Sequence, residues 1–508
     1  MRPCDVLIIG AGPTGLILAL WLTKLGVSVR IVDKTAEPGT TSRALAVHAR
    51  TLELYRQLDL ADAVVAKGHT VPAVNLWVGG EKEARVSFTE IGADLTPYPF
   101  LHIFPQDEHE RLLIARLEAM GGTVERQTEY LGHEEEGGRI VAQLRGPGGV
   151  EERCEAAYIA GCDGASSGVR QTISVEFPGG TYQQVFYVAD VEASGPAIDG
   201  ELHIALDQAD FLAVFPIAGA GRARLIGTVR DARADNAETL TFDDVGRDAI
   251  EHLKVDVGRV NWFSTYHVHH RVAGHFRVGR AFLLGDAAHI HSPAGGQGMN
   301  TGIGDAINLA WKIHAVLRGH APATLLDSYE EERIAFARRL VKTTDRMFTF
   351  VTAEGRMADL IRMRLVPIVL PAVARFEGWR EWMFRTVSQI TLNYRHCSWN
   401  AGRAGDVHGG DRLPWTGAEG LDNDAAFTEM AWQIHCYGEP PAGLAAWCGV
   451  HGVSLHLFAW QPEYGDAGLA RNALYVLRPD SYVALADGTG SIDVVARYFE
   501  ERGIRIAD

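Results

Sequence analysis

Cysteine is scarce in this sequence, and the few cysteines follow no pattern. The six among 508 residues are scattered, with neither a CxxC pair nor a zinc-type spacing. Disulfide-rich scaffolds and cysteine-based metal sites are therefore excluded, since both need closely spaced, recurring cysteines. Sparse cysteine is typical of a reduced cytosolic compartment. We accordingly expect a cytoplasmic protein.

Positive charge is also in short supply. Lys and Arg number 48 against 64 Asp and Glu, and the formal net charge is −16 at pH 7. Because nucleic acids and anionic membranes attract basic proteins, we predict neither as a partner. The one long apolar run, residues 6–22, is broken by Gly10, Gly12, Pro13 and Gly15. These breaks argue against a signal peptide, and we expect a soluble protein.

Glycine is abundant instead, and its first cluster lies between a predicted strand and a predicted helix. The stretch "GAGPTG" (Gly10 to Gly15) matches GxGxxG, and the following strand "VSVRIVD" ends at Asp33. In such a βαβ unit the glycines let a pyrophosphate approach the positive end of the helix. An acid about 20 residues further on accepts hydrogen bonds from a ribose. The motif predicts a dinucleotide site and leaves FAD and NAD as alternatives.

Two further motifs follow buried strands. "GCDGASSGVR" (Gly161 to Arg170) comes after the apolar "AAYIA", although an ordinary turn capped by Asp163 before a helix would look the same. In "RAFLLGDAAH", Asp286 lies at the carboxyl end of a strand. Ligands of open α/β sheets bind at that edge, so Asp286 can accept a hydrogen bond from a ribityl or ribose hydroxyl.

A glycine-rich turn, "PAGGQGMNTGIGDA" from Pro293 to Ala306, then runs into a helix. Apolar residues at Ile303, Ile307 and Ala310 mark one face of that helix. Glycine costs roughly 1 kcal/mol against alanine inside a helix. Bare backbone at a helix start instead lets a ligand approach the free N–H groups. A connector before an amphipathic helix is the alternative.

Taken together, these motifs resemble the FAD-dependent aromatic hydroxylases, the single-component flavoprotein monooxygenases of the p-hydroxybenzoate hydroxylase type. The likeness extends to "HARTLELY" (His48 to Tyr55) and "FPQDEHERLL" (Phe104 to Leu113). It implies bound FAD, transient reduction by NADPH or NADH, and hydroxylation of a phenolic or related aromatic ring by O2 through a flavin C4a-hydroperoxide. One departure is Asp33, where the family more often has glutamate.

The resemblance also implies roles for individual residues. The helix after the glycine-rich turn would point its N-terminus at the pyrimidine side of the isoalloxazine, where backbone N–H groups stabilise the anionic reduced flavin. Our candidate catalytic residues are Arg43 beside the flavin and its pyrophosphate, Pro293, and His291, which could activate the phenol or could simply pack and hold the loop. The predicted cofactor-binding residues are Gly10, Gly12, Pro13, Thr14, Gly15, Asp33, Lys34, Arg43, Gln106, Leu131, Asp163, Gly164, Asp286, Gly296, Gly298, Met299 and Asn300.

The expected fold class is α/β, divided into three units. We assign residues 1–74, 100–180 and 272–395 to a Rossmann-like FAD-binding domain with C-terminal helices. Alternating apolar and polar residues predict an inserted antiparallel substrate-binding sheet over residues 75–99 and 181–271. Residues 396–508, with "GDRLPW" and "LRPDSYVALA", resemble the thioredoxin-like module of the phenol-hydroxylase-related branch. Since CxxC is missing, we expect packing or homodimer formation there, not redox chemistry.

The substrate-facing side chains are less well determined. Five residues on the predicted antiparallel sheet could face the aromatic ring, although we favour a core or surface role for each: Tyr187, His203, Phe211, Phe215 and Tyr266. The cluster "YHVHHR" (Tyr266 to Arg271) suggests a metal site. Strand alternation separates its histidines, however, and no carboxylates converge there, so we predict no metal.

Other functions on the same scaffold stay open. A flavin-dependent halogenase or alkene epoxidase is one alternative, although the halogenase motif WxWxIP is missing from the sequence. A flavin-binding, ligand-sequestering protein without turnover is another. The intact combination of Arg43, Asp163 and Asp286 favours an enzyme.

Overall fold

The fold is built on four β-sheets with helices packed around them. The computed structural model describes residues 3–39, 44–206, 211–229, 240–245, 248–292, 294–352, 376–417, 423 and 428–506. Within these ranges no helix combines the length and the apolar character needed to cross a membrane.

The regular elements alternate along the chain in the order of an α/β protein. The strands are β1 (Cys4–Ile9), β2 (Val29–Val32), β3 (Ala46–Val47), β4 (His69–Val71), β5 (Ala73–Val78), β6 (Glu81–Ser87), β7 (Leu101–Ile103), β8 (Val124–Glu125), β9 (Glu129–Glu136), β10 (Arg139–Arg145), β11 (Glu151–Gly161), β12 (Gly179–Ser194), β13 (Leu202–Leu206), β14 (Phe211–Pro216), β15 (Arg222–Val229), β16 (Asp256–Val272), β17 (Arg277–Val278), β18 (Ala281–Leu283), β19 (His289–Ile290), β20 (Ala401–Ala404), β21 (Val407–His408), β22 (Gln433–Tyr437), β23 (Ser454–Phe458), β24 (Leu474–Leu477) and β25 (Val483–Asp487). The helices are α1 (Pro13–Lys24), α2 (Ala49–Tyr55), α3 (Ala61–Lys67), α4 (Phe88–Gly92), α5 (Gln106–Ala119), α6 (Gly168–Thr172), α7 (Asp248–His252), α8 (Gln297–Leu317), α9 (Asp327–Thr352), α10 (Glu377–Val387), α11 (Leu444–His451), α12 (Pro462–Asp466) and α13 (Ile492–Glu501).

The first sheet confirms the predicted βαβ opening. Its parallel core has the order β18-β11-β1-β2-β8, with the antiparallel strands β17, β10 and β9 attached. Strand β1 is buried on both faces, which explains why its residues are apolar without alternation. The three predicted motifs all lie at the carboxyl ends of parallel strands, after β1, β11 and β18.

The second sheet contains the predicted antiparallel strands in the order β19-β16-β12-β15-β14-β13-β5-β6. Its pairs are antiparallel except for β13 with β5. Its two faces belong to different apolar clusters: Phe186 and Val188 pack in one, Tyr187 and Ala189 in the other. The sheet is therefore covered on both sides over much of its area.

The C-terminal region forms a third sheet, with the order β21-β20-β25-β24-β22-β23. The antiparallel strands β24 and β25 and the helix α13 form the last part of this region. The core beneath this sheet is continuous with that of the first sheet, since Trp311 of α8 packs edge-to-face on Trp432 at a centroid distance of 5.8 Å. A small sheet, β3-β7-β4, lies outside the other three.

Helix α8 differs from the amphipathic helix that we considered. The predicted face is buried, but the opposite polar face is buried too. Asp305 and Lys312 on that face are each less than 2% exposed and pair with charged groups of α9. The helix thus crosses the interior of the protein, which the pattern of apolar residues alone did not reveal.

Candidate functional site

The first glycine loop has the shape that a pyrophosphate site requires. A Cβ on Gly10 would lie 2.3 Å from the carbonyl oxygen of Cys162, and one on Gly15 would lie 2.0 Å from the carbonyl of Gly10. Gly12, by contrast, has no atom within 4 Å of such a Cβ, and helix α1 begins after it without a side-chain cap. The uncapped N–H groups of α1 therefore face open space, as a bound phosphate would need.

Asp33 holds this loop through both carboxylate oxygens. Oδ2 accepts a hydrogen bond from the backbone N–H of Ala11 at 2.8 Å, and Oδ1 accepts from the N–H and the hydroxyl of Thr35 at 2.8 and 2.7 Å. The side chain is still partly exposed, and the neighbouring Lys34 is exposed. Asp33 thus shapes the glycine loop in addition to any contact with a ribose.

Asp163 is the clearest sign of a missing polar ligand. Its Oδ2 accepts from the backbone N–H of Val169 at 3.1 Å, whereas Oδ1 is buried and has no hydrogen-bond partner among the described residues. A buried carboxylate oxygen left unpaired costs about 1–3 kcal/mol or more. Gly164 next to it has φ +78° and open space around its α-carbon. Both features fit a hydroxyl-bearing cofactor at this position.

The turn at Gly285 is built by close contacts with α1 and α8. Its φ is +57°, and a Cβ there would lie 2.7 Å from the hydroxyl of Thr14; a Cβ on Gly302 of α8 would lie 2.3 Å from the same hydroxyl. Asp286 directly follows this turn. Its side chain is exposed, yet desolvation by the surrounding protein raises the pKa of its carboxyl, against the opposing effect of His289.

The second glycine turn is the stretch that contains Gly295, Gly296 and Gly298, and these glycines have different structural explanations. Gly295 and Gly296 adopt φ +75° and +62°, and a Cβ on Gly296 would lie 2.7 Å from Cβ of Ala46. Backbone conformation and packing therefore explain these two. A Cβ on Gly298 would meet only the His291 ring, at 3.8 Å, which is ordinary contact. Nothing in the described protein requires glycine there, and the N-terminus of α8 has no side-chain cap.

Asn300 braces this turn with its side chain. The amide Nδ2 donates to the carbonyls of Ala46 and Gly296 at 2.9 and 3.0 Å. Its Oδ1 accepts from the backbone N–H of His48 at 2.9 Å and from the hydroxyl of Thr51 at 2.8 Å. The side chain is fully used inside the protein, so only its backbone remains for a cofactor. Met299 beside it is half-buried.

Two neutral imidazoles flank the second turn. Nδ1 of His291 lies 2.8 Å from the Ser292 carbonyl, and its buried Nε2 has no partner in the described part of the chain. Burial lowers the pKa of His291 to about 4, despite that hydrogen bond. His48, which sequence reasoning missed as a site residue, lies on the other side with its Nε2 3.0 Å from the Gly295 carbonyl.

The structure gives less information about four other predicted site residues. Arg43 and Pro293 lie outside the described residues. Gln106 begins α5, where its Nε2 donates to Glu110 at 2.8 Å. Leu131 is exposed on β9.

The five substrate-contact candidates divide between the two faces of the second sheet. Phe211, Phe215 and Tyr266 are half-buried and belong to the apolar cluster that also contains Ala46 and Phe384. This face therefore adjoins the second glycine turn.

The other two candidates have the core role that we weighed for them, because they point away from that face. Tyr187 is buried against Phe263 in the opposite cluster. His203 is buried there as well, accepting from the indole N–H of Trp77 at 3.0 Å while its Nε2 lies 2.8 Å from Asp199. Alternation along β12 and β13 predicts which residues share a face of the sheet. It does not predict which of the two faces adjoins the second glycine turn.

Asp305 was also missed. Its Oδ2 accepts from the Gly285 N–H at 3.0 Å and lies 2.7 Å from Nε2 of His289, while its Oδ1 accepts from Arg333 at 2.6 Å. The only signal in the sequence was a carboxylate inside an apolar helix.

Across the described ranges, no group of three or more His, Cys, Asp or Glu residues is placed to hold a metal ion.

Comparisons with known proteins agree with this geometry. Residues 3–344 match the family model described as FAD binding domain. The chain is 37% identical to 6-methylpretetramide 4-monooxygenase of Streptomyces rimosus, over 73% of this chain but 65% of that enzyme's length. It is 32% identical to pentachlorophenol 4-monooxygenase of Sphingobium chlorophenolicum, over 80% of this chain and 75% of that one.

A solved structure extends the likeness to the whole chain. The OxyS anhydrotetracycline hydroxylase from Streptomyces rimosus superimposes with a TM-score of 0.77 at 27% identity, covering 99% of this chain and 100% of that one. The glycine loop, the unpaired Asp163 oxygen and the uncapped α8 all fit FAD. The chain therefore belongs to the FAD binding domain family, as an FAD-dependent monooxygenase of the aromatic hydroxylase type.

Proposed function

We propose that this protein catalyses the NAD(P)H- and O2-dependent hydroxylation of a phenolic or related aromatic compound through a flavin C4a-hydroperoxide. One observation carries the proposal: half-buried aromatic side chains, Phe211, Phe215 and Tyr266, share an apolar face with Ala46, which contacts the second glycine turn. An aromatic ring bound on that face would lie beside the turn. The relatives named for a pretetramide, pentachlorophenol and anhydrotetracycline support such a substrate.

Residues at the carboxyl ends of β1, β11 and β18 would hold FAD. The N–H groups at the start of α1 would bind the pyrophosphate, because they are uncapped and Gly12 leaves space beside them. The unpaired Oδ1 of Asp163 and the exposed carboxylate of Asp286 would accept hydrogen bonds from cofactor hydroxyls. Asp33 would contact the ribose while it holds the loop.

The start of α8 would serve the chemistry on the flavin. Free N–H groups around Gly298, Met299 and Asn300, with the positive end of the helix, would stabilise negative charge on the pyrimidine side of the reduced ring. Arg43 would lie beside the flavin and its pyrophosphate, as the family resemblance implies, and Pro293 remains a candidate catalytic residue. Bound FAD supplies the hydride acceptance and oxygen activation, which no side chain can supply.

His291 would activate the substrate by accepting a hydrogen bond from its hydroxyl group. A phenol has a pKa near 10, and a hydrogen-bond acceptor on its hydroxyl makes the ring more electron-rich. With Nδ1–H donating to the Ser292 carbonyl, Nε2 of His291 is a neutral acceptor beside Gly298. The apolar face around Phe186 and Phe384 would keep water from the reacting centre.

A screen of substituted phenols with the FAD-loaded protein tests this function. The measured quantities are NADPH or NADH oxidation, oxygen uptake, hydrogen peroxide release and the mass of the aromatic product. We expect at least one phenol to stimulate oxidation and to gain one oxygen atom. Stimulation with peroxide but no oxygenated product would contradict hydroxylation. A protein whose NAD(P)H oxidation no aromatic compound stimulates would instead be a flavin-binding protein without this turnover.

A further inference from the structure

His48 joins β3 to α2 and is tied to the second glycine turn at two points. Its backbone N–H donates to Oδ1 of Asn300 at 2.9 Å, and its ring Nε2 lies 3.0 Å from the carbonyl oxygen of Gly295. The residue is 1% exposed. Its ring is thus held in one orientation by the same turn that would face the flavin.

These contacts determine which ring nitrogen carries the proton. A carbonyl oxygen only accepts, so Nε2 of His48 must be the protonated donor, and Nδ1 is left as an acceptor. Burial lowers the pKa of His48 to about 4, which keeps the ring neutral at physiological pH. Nδ1 is itself buried and finds no hydrogen-bond partner in the ranges that the structure covers. A lone acceptor of this kind is costly unless a ligand or water satisfies it.

A small recess adjoins His48. It is lined chiefly by Phe88, Phe100, Leu101 and Phe384, and its volume is about 10 Å³. That volume matches one water molecule or one hydroxyl group. Since Nε2 is occupied, Nδ1 is the only polar ring atom that His48 can offer to this recess.

The recess is continuous with the apolar face described above. Phe88, Leu101 and Phe384 belong to the same cluster as Phe186 of β12, and the half-buried Phe211 and Tyr266 pack against it. An aromatic ring on that face could therefore extend a hydroxyl group toward His48. The Ser388 hydroxyl, which also lines the recess, already donates its proton to the Phe384 carbonyl.

We propose that Nδ1 of His48 accepts a hydrogen bond from a hydroxyl group of the aromatic substrate, and so selects hydroxylated rings over their ethers. The inference rests on the proposed function and adds a specificity-determining residue to it. A hydroxyl group donates one hydrogen bond, so the hydroxyl that His48 binds would be a different one from the hydroxyl that His291 binds. The role is one of binding and orientation; the proton stays on the substrate oxygen.

Two substitutions separate this role from the bracing of the turn. Glutamine places an amide near the position of Nε2, so His48→Gln keeps a donor for the Gly295 carbonyl and loses the acceptor at Nδ1. Asparagine places its amide near Nδ1, so His48→Asn keeps a polar atom there and loses the donor. His102 offers a matched control, because its Nε2 lies 2.9 Å from the Val64 carbonyl and its Nδ1 is likewise unpartnered in the described chain, yet it does not line the recess.

The experiment titrates each FAD-loaded protein with 2,7-dihydroxynaphthalene and with its monomethyl ether, 7-methoxy-2-naphthol, and follows the flavin absorbance. We expect the wild-type protein and His102→Gln to bind the diol about tenfold more tightly than the ether, the value of one neutral hydrogen bond. In His48→Gln this ratio should fall to about one, with FAD affinity within about threefold of wild type. His48→Asn should keep most of the preference and lose FAD more readily.

Each other outcome overturns the inference in a distinguishable way. If His48→Gln keeps the tenfold preference, His48 does not bind the hydroxyl group that distinguishes the two compounds, and the proposed function still stands. If the wild-type protein binds both compounds equally, the inference fails without any variant having to fold. If neither compound nor any phenol of the screen perturbs the flavin, the inference and the proposed function fail together.

Discussion

The Asp305 carboxylate accepts a hydrogen bond from the Arg333 guanidinium at 2.6 Å, and both side chains are 1% exposed. The pair joins α8 to α9 directly behind the Gly285 turn. Burial alone would raise the pKa of Asp305, but Arg333 and His289 lower it below its ordinary value. The carboxylate is therefore charged, and it holds the turn that presents Asp286.

Asp305→Asn should destabilise the protein and weaken FAD binding. Removing one partner leaves the Arg333 charge buried without compensation, which typically costs about 3–5 kcal/mol. Urea unfolding at saturating FAD measures the free energy. Asp327→Asn is the matched control: Asp327 accepts from Arg277 at the same 2.6 Å but is 70% exposed, and such pairs contribute about 0–1 kcal/mol. Equal losses in the two variants would contradict a special role for the buried pair.

Stability should depend on pH through Glu332. This buried carboxylate accepts from Lys312 at 2.9 Å and from Arg478 of the C-terminal region at 2.5 Å. Burial raises its pKa, but the two cations outweigh that effect and lower it well below the ordinary value. The stabilisation is complete above the unfolded carboxyl pKa of about 4.3 and is lost as the pH falls toward the folded value.

Glu332→Gln should therefore cost about 3–5 kcal/mol at pH 7, and less below about pH 4, where protonation begins to remove the advantage of the wild-type carboxylate. Urea unfolding of both proteins across this range measures the difference. Glu381→Gln, at a 39% exposed partner of Arg385, should show little effect at any pH. If the loss of unfolding free energy in Glu332→Gln stayed constant or grew as the pH fell, the stabilising role of the charged network would be ruled out.

The two faces of the second sheet should respond differently to mutation. Tyr266→Ala, on the face beside the second glycine turn, should raise the KM for the aromatic substrate with a modest loss of stability. Tyr187→Ala, in the opposite core, should cost about 3–5 kcal/mol of folding free energy and leave KM nearly unchanged. Steady-state kinetics and urea unfolding of both variants test this. The reverse assignment would show that the substrate lies elsewhere.

Local chemistry explains what the sequence could reveal. The GxGxxG loop, the buried strands and the period-two strands each depend on residues that are neighbours in the chain, so β1, α1, β2 and the antiparallel strands of the second sheet were predictable. The need for glycine at Gly10 and Gly15 also followed from the motif, and the contacts of 2.3 and 2.0 Å explain it.

What the sequence could not reveal depends on distant parts of the chain. His48 and Gly295 lie 247 residues apart, and Glu332 meets Arg478 across 146 residues. No periodicity signals such pairs. The face that Tyr187 occupies likewise depends on which side of the sheet adjoins the glycine turn, and that is decided by packing of whole elements.

FAD binding by Gly298→Val is the most direct test of the central claim, that the uncapped start of α8 receives the flavin. A Cβ at Gly298 meets only His291 inside the described protein, at 3.8 Å, so we expect a large effect to come from the cofactor. Gly449→Val, at an exposed helical position with open space, is the control. With fluorescence titration of FAD into the deflavinated proteins, we predict at least a hundredfold weaker binding for Gly298→Val and wild-type binding for the control. Wild-type FAD affinity and turnover in Gly298→Val would contradict the account.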